Sequence, residues 1–231
     1  MSAKPPTPWA DAALSEAVAT AFLLMAVVGS GIAAETLSGG NTGLALLANA
    51  VATGAALFML ILVFGPISGA HMNPVVTLSA ALMGDFAWNL VPVYVGAQVL
   101  GALLGTGIAH LMFDLPLLQL STHVRFGAGQ WLAEAVATLG LLLTVWGTTS
   151  YRTPVVAGAV AAYITGAYWF TASTSFANPA VTMARALTDT FSGIRPADAP
   201  LFIIAQFMGL IVALPLIRRF TRVAWNHPRH D

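Results

Sequence analysis

Very few side chains in this 231-residue chain are of a kind that could act on a solute, and those few are paired. Asn73-Pro74 and Asn178-Pro179 each place a carboxamide immediately before a proline, the residue best suited to open a helix. A carboxamide offers two donors and an acceptor, which suits replacing the water around a neutral polar solute rather than breaking a bond. Glu16 and Glu134 form a second pair, each set inside a strongly apolar stretch. No Walker-type glycine loop, catalytic carboxylate pair or nucleophile-base set accompanies them, so the chain reads as no enzyme. The histidines, His71, His110, His123, His227 and His230, lack compact ligand spacing except for the last two, and cysteine is absent. No metal and no cofactor is expected.

Such residues need elements to hold them, and composition says where those elements lie. Charged residues make up 8% of the chain, apolar residues 58%, and the mean hydropathy is +0.81, which leaves too little polar surface for a water-facing globule. The formal charge of +0 supplies no cationic field for a nucleic acid, and membrane lipid is the expected surrounding. Charges divide the chain into uncharged runs at 17–34, 36–84, 86–113, 135–151, 153–184 and 199–217. With roughly 20 residues needed per crossing, four runs hold one span each. The other two hold a span plus a short segment beginning at an Asn-Pro. Six spans follow, near 11–34, 43–66, 89–112, 130–150, 154–172 and 198–218. The stretch from Ala12 to Ala34 reads as the first of them rather than as a secretory leader, because it contains Glu16 and recurs later. The segments from Pro74 and Pro179, about 11 residues or roughly 16 Å of rise each, are too short to cross. They read as re-entrant half-helices lining a pore.

The chain also repeats itself. Glu16-Ala17-Val18-Ala19-Thr20 returns as Glu134-Ala135-Val136-Ala137-Thr138, and Asn73-Pro74-Val75-Val76-Thr77 as Asn178-Pro179-Ala180-Val181-Thr182. Ala97-Gln98 with Gly101 returns as Ala205-Gln206 with Gly209. One domain over 1–231 is expected, built of repeats at about 10–112 and 130–218 with a tail at 219–231. Three spans per repeat is an odd number, so the second copy is inverted. Lys4, Arg152, Arg218, Arg219, Arg222 and Arg229 fall on one side against Arg125, Arg185 and Arg195 on the other, which puts both termini in the cytoplasm. The half-helices then meet N-terminus to N-terminus, where their dipoles repel a cation while the Asn73 and Asn178 amides serve a neutral solute. For the buried acids, proton relay and scaffold are the two readings. The neutral surroundings and matched positions favour Glu16 and Glu134 accepting from backbone N–H groups of the re-entrant loops. Gln98 and Gln206 read as interhelical hydrogen-bonding groups.

Ser68-Gly69-Ala70-His71-Met72-Asn73-Pro74-Val75-Val76-Thr77 and Phe176-Ala177-Asn178-Pro179-Ala180 resemble the two signature boxes of the aquaporin, or major intrinsic protein, family. The likeness extends over nearly the whole chain and includes both glutamates. It implies an all-α hourglass of six transmembrane helices and two re-entrant half-helices, one pore per chain and a homotetramer. Val75 departs from the usual Asn-Pro-Ala of the first box. The resemblance further implies an outer constriction at Thr53, Gly166, Ser175 and Val181, transferred by spacing from the two asparagines. Val181 stands where the family places an arginine, so a wide filter of moderate polarity is expected. Arg185, one turn on, is expected either to pair with Asp189 or to set a charge at the outer mouth. The run Asn178–Phe191 is similar to aquaglyceroporin-like channels found with bacterial arsenic-resistance functions, which implies arsenite or methylated arsenicals beside glycerol, urea and water as solutes, and a bacterial inner membrane. A secondary carrier, a water-selective aquaporin and a purely structural junction protein are the competing readings.

Overall fold

The computed structural model describes residues 8–225, with side chains described through 221. Lys4, His227, Arg229 and His230 lie outside the described residues. Eight α-helices account for most of the rest: α1 (Trp9–Leu37), α2 (Thr42–Ser68), α3 (Pro74–Met83), α4 (Val91–Met112), α5 (Ala128–Thr148), α6 (Thr153–Phe170), α7 (Pro179–Arg185) and α8 (Ala199–Trp225). A single 3-10 turn, Trp88–Leu90, leads into α4. Among the described residues, six helices are long and apolar enough to cross a membrane. The last extends to Trp225, so residues 219–225, expected to begin a tail, continue the helix.

The packing repeats in the order of the sequence repeat. α1 packs on α4 and α2 as α5 packs on α8 and α6, and α4 meets α7 as α8 meets α3. Close approach depends on glycine: a Cβ on Gly105 would fall 2.1 Å from the Ala21 carbonyl oxygen, one on Gly101 2.2 Å from that of Ala17, and one on Gly209 2.5 Å from that of Ala135. Backbones meeting through small residues suit a lipid environment, where packing replaces hydrophobic exclusion as the drive for helix association. Large apolar side chains such as Phe22, Leu100, Leu104, Ile204 and Ile211 point outward instead.

Both short helices start where proline predicts. Asn73 and Asn178 cap them, accepting from Val75 N at 3.0 Å and from Ala180 N at 3.0 Å, with Pro74 and Pro179 in the first turn. Their lengths differ from expectation, however. α3 has 10 residues but α7 only 7, and the chain beyond Arg185 folds back through turns until α8. The Arg185 carbonyl accepts from Ile194 N at 3.1 Å, which fixes that return.

The inter-repeat loop, residues 113–127, lies across this return as a strap. Gln119 N and Ser121 N donate to Leu187 O and Ala186 O, Arg195 N donates to His123 O, and Arg125 N donates to Asp198 Oδ2 at 2.9 Å. His110 at the end of α4 lies between the two, with Nδ1 3.0 Å from Leu117 O and Nε2 2.7 Å from the Thr188 hydroxyl.

Candidate functional site: a cavity between the half-helices

Each re-entrant loop is held by a glutamate. Glu16 accepts from His71 N at 2.9 Å and Met72 N at 2.6 Å, and from the Ser68 hydroxyl at 2.7 Å. Glu134 accepts from Phe176 N and Ala177 N, both at 2.9 Å. Gln98 and Gln206 complete the two networks, each donating to its glutamate and to a threonine hydroxyl, Thr77 or Thr182. These acceptors meet a real need. Ala70, Met72, Ser175 and Ala177 all have positive φ, between 47° and 51°, a left-handed conformation costing a residue with a Cβ roughly 1–2 kcal/mol. That geometry presents successive N–H groups to one carboxylate, and without it they would be orphaned at membrane depth.

The two loops are tied to each other at their tips. Asn73 Nδ2 donates to Ala177 O at 2.8 Å, and Asn178 Nδ2 donates to Met72 O at 2.7 Å. Each amide nitrogen carries a second hydrogen, and both asparagines line a cavity of about 390 Å³. That cavity is walled by apolar rows at helical spacing. α2 contributes Thr53, Leu57, Ile61 and Gly65, and α6 contributes Val156, Val160, Ile164 and Tyr168. α1 adds Leu23 and Val27, matched in α5 by Leu141 and Val145. The half-helices add Asn73, Ser175, Asn178, Val181 and Arg185. Pro74, Val75, Pro179 and Ala180 are buried behind the wall as helix starts.

Three of the four expected constriction positions, Thr53, Ser175 and Val181, line this cavity. Gly166 does not. It is exposed on the outer face of α6, because the lining row runs 156, 160, 164, 168 and a residue two positions away projects from the opposite side of the helix. Tyr168 takes its place, with its hydroxyl 3.1 Å from Thr53 Oγ1. Spacing counted from Asn178 misses this, since the turn at 171–174 sets the register of α6 and carries no Asn-Pro marker.

Arg185 also departs from expectation. It makes no pair with Asp189, which instead accepts from Thr122 N at 2.7 Å and the Thr122 hydroxyl at 2.9 Å. Those two bonds hold the Asp189 carboxyl below its ordinary range. Arg185 is 2% exposed, donates through Nε to Ser192 O, and lies with Cζ 3.4 Å from the Phe176 ring centroid. Arg125, unmarked by any motif, approaches the same ring at 5.0 Å and donates to Gly193 O at 2.8 Å and Ser173 O at 3.2 Å.

Six membrane-length helices, two half-helices meeting tip to tip and a cavity with paired carboxamides define a multi-pass membrane channel fold. Residues 6–175 match the model of the major intrinsic protein family, and the chain belongs to that family. It is 53% identical over 205 residues to the aquaglyceroporin AqpS of Rhizobium meliloti, covering 89% of this chain and 88% of that protein. It is 32% identical over 141 residues to a probable glycerol uptake facilitator protein of Thermotoga maritima, covering 54% of this chain and 59% of that one. The aquaglyceroporin structure from Plasmodium falciparum superposes with a TM-score of 0.72 over 94% of this chain and 97% of that one, and at 19% identity it marks a shared fold. The chain is a passive membrane channel for small solutes.

Proposed function

We propose that the channel passes small uncharged solutes larger than water, among them glycerol, urea, arsenite and methylated arsenicals, with water as a minor passenger. The reading is supported by one arrangement above all. Paired Asn73 and Asn178 amides stand between rows that are mostly apolar, so hydrogen bonds are concentrated where the half-helices meet and few are offered along the rows to an ion's hydration shell. Val181 beside them leaves the constriction without a guanidinium at that position. Pro74, Val75, Pro179 and Ala180 would hold the signature turns, and Thr53, Ser175 and Val181, with Tyr168 in place of Gly166, would form the filter. Glu16 and Glu134 would serve as scaffold. Their oxygens are engaged by backbone N–H groups and a glutamine, which leaves little for a coupling proton and speaks against a secondary carrier.

The whole chain would form one domain of two inverted repeats, at about 10–112 and 130–218, with a pore of its own within a homotetramer. It would reside in a bacterial inner membrane with both termini cytoplasmic. Stopped-flow permeability of proteoliposomes to water, glycerol, urea and arsenite tests the reading. Flux should be linear in the solute gradient and independent of proton or sodium gradients, and Val181→Arg should slow the larger solutes more than water. Saturation at low solute, or no differential effect of Val181→Arg, would reject it.

A further inference from the structure

The correspondence between the two halves breaks at one polar contact. In the register that sets Glu16 against Glu134, Trp146 of α5 corresponds to Val28 of α1, and in the register that sets Asn73 against Asn178, Ser79 of α3 corresponds to Ala184 of α7. Trp146 donates from Nε1 to the Ser79 hydroxyl at 3.1 Å, and both residues line the cavity. Val28 and Ala184 are fully buried, carry no polar side-chain atom and do not line it. One half therefore sets an indole into the wall where the other packs apolar groups out of reach.

Its level in the cavity follows from the half-helices. α3 and α7 meet at their N-terminal ends, so Ser79 and Arg185 lie toward opposite ends of the cavity. Trp146, half-buried, is the one tryptophan among the described residues that lines it. The ring is fixed in place. Ser79 is fully buried and donates its own hydrogen to Val76 O at 2.8 Å, which leaves its lone pairs to accept the indole N–H, a group that can only donate. α3, which carries Ser79, is itself packed against α4, α7 and α8. His71 at the same end is anchored alike, with Nδ1 3.0 Å from Thr77 Oγ1 and its ring on Phe86 at 5.3 Å and Tyr94 at 5.5 Å. Two hydroxyls of α3 thus each hold a ring that lines the cavity.

We propose that Trp146 forms a second filter at this end, separate from the constriction at Thr53, Tyr168, Ser175 and Val181, and that it sets the upper limit on solute width. This rests on the channel reading above. The bulkiest side chain a solute meets along the wall is the indole, and pore width decides which solute fits. Because Nε1 is already engaged by Ser79, the ring offers a passing solute no N–H, and it sorts by width and not by hydrogen bonding. Ser79 is a positioning residue: it acts through the ring and does not touch the solute.

The test uses the full chain in proteoliposomes with water, glycerol, erythritol and pentaerythritol as probes, read by stopped-flow light scattering. Erythritol is a linear chain and pentaerythritol branches from a single carbon, so the two differ in width at a matched number of hydroxyls. Wild type should favour erythritol. Trp146→Ala should raise the pentaerythritol-to-erythritol ratio about tenfold and change water permeability less than about twofold. Trp146→Phe and Ser79→Ala break the same bond, so each should raise the ratio about threefold, and the double variant should do no more than either alone. Folded Trp146→Ala with the wild-type ratio, or a wild type that passes both polyols equally, overturns the proposal. Should Trp146→Ala fail to fold, an unchanged ratio in both Trp146→Phe and Ser79→Ala overturns it. Wild-type vesicles closed to water and glycerol as well would overturn the channel reading, and this inference with it.

Discussion

The Thr53 hydroxyl lies 3.1 Å from the Tyr168 hydroxyl, joining the second and sixth helices across one end of the cavity. Tyr168→Phe removes one partner and leaves the buried Thr53 oxygen unpaired, a loss of about 1 kcal/mol. Tyr168→Ala removes the wall itself and should raise the glycerol-to-water permeability ratio about fivefold, since pore diameter sets which solute fits. Thermal unfolding in detergent measures the first, and stopped-flow light scattering on matched vesicles the second. If instead Gly166→Phe changed that ratio and Tyr168→Ala did not, α6 would have to be rotated from the register described here.

Glu16 and Glu134 give a test of scaffold against relay. Glu134→Ala leaves Phe176 N and Ala177 N without their acceptor and should cost about 2–4 kcal/mol, read as a lowered detergent melting temperature. Glu134→Gln retains an acceptor oxygen and should fall between the two. Solute flux through surviving Glu134→Gln channels should stay uncoupled from pH gradients; coupling in the wild type that disappears in this variant would identify a relay.

Glycines of the helix contacts should differ sharply from glycines elsewhere. A methyl at Gly105 meets the Ala21 backbone at 2.1 Å, so Gly105→Ala should destabilise by about 1–3 kcal/mol. Gly147 in α5 has nothing within 4 Å of the added Cβ, and Gly147→Ala should gain about 0.5–1 kcal/mol from helix propensity. Opposite shifts in thermal unfolding check the pair.

The strap should hold over the neutral range and loosen only in acid. Burial pushes the Asp198 carboxyl up, but the Arg195 guanidinium at 2.7 Å and the Arg125 N–H at 2.9 Å together hold it below the usual 3.8. A carboxyl lowered in the folded state contributes stability that is present above its unfolded value and lost as pH falls through the folded one. Asp189, lowered by Thr122, behaves alike. Protection of the amides across 113–127, taken relative to their intrinsic exchange at each pH, should match at pH 7 and pH 5 and fall below pH 4. A fall between pH 7 and pH 5 would place the tie on another group.

Helix existence was legible because membrane spans announce themselves by missing charge, and the repeated Glu16/Glu134 and Asn73/Asn178 positions imply two copies of one half. The asparagine caps and their proline starts follow from local chemistry, which needs no distant partner. The wall of the cavity was less accessible. Thr53, Ser175 and Val181 sit at fixed distances from an Asn-Pro within continuous structure, whereas Gly166 lies beyond a turn whose length the spacing ignored.

The chain's pattern thus determined its solvent, its six crossings, its two half-helices and the meeting of two carboxamides, since each follows from local hydropathy, proline geometry and repetition. Tertiary structure alone decided which face of α6 reaches the cavity and what Arg185 does. Helix register depends on the turns and packing around it, and a long flexible cation takes whichever carbonyl or ring lies closest. Here those are Ser192 O and Phe176, from chain segments on either side of α7, and Asp189 is left to Thr122 across the strap.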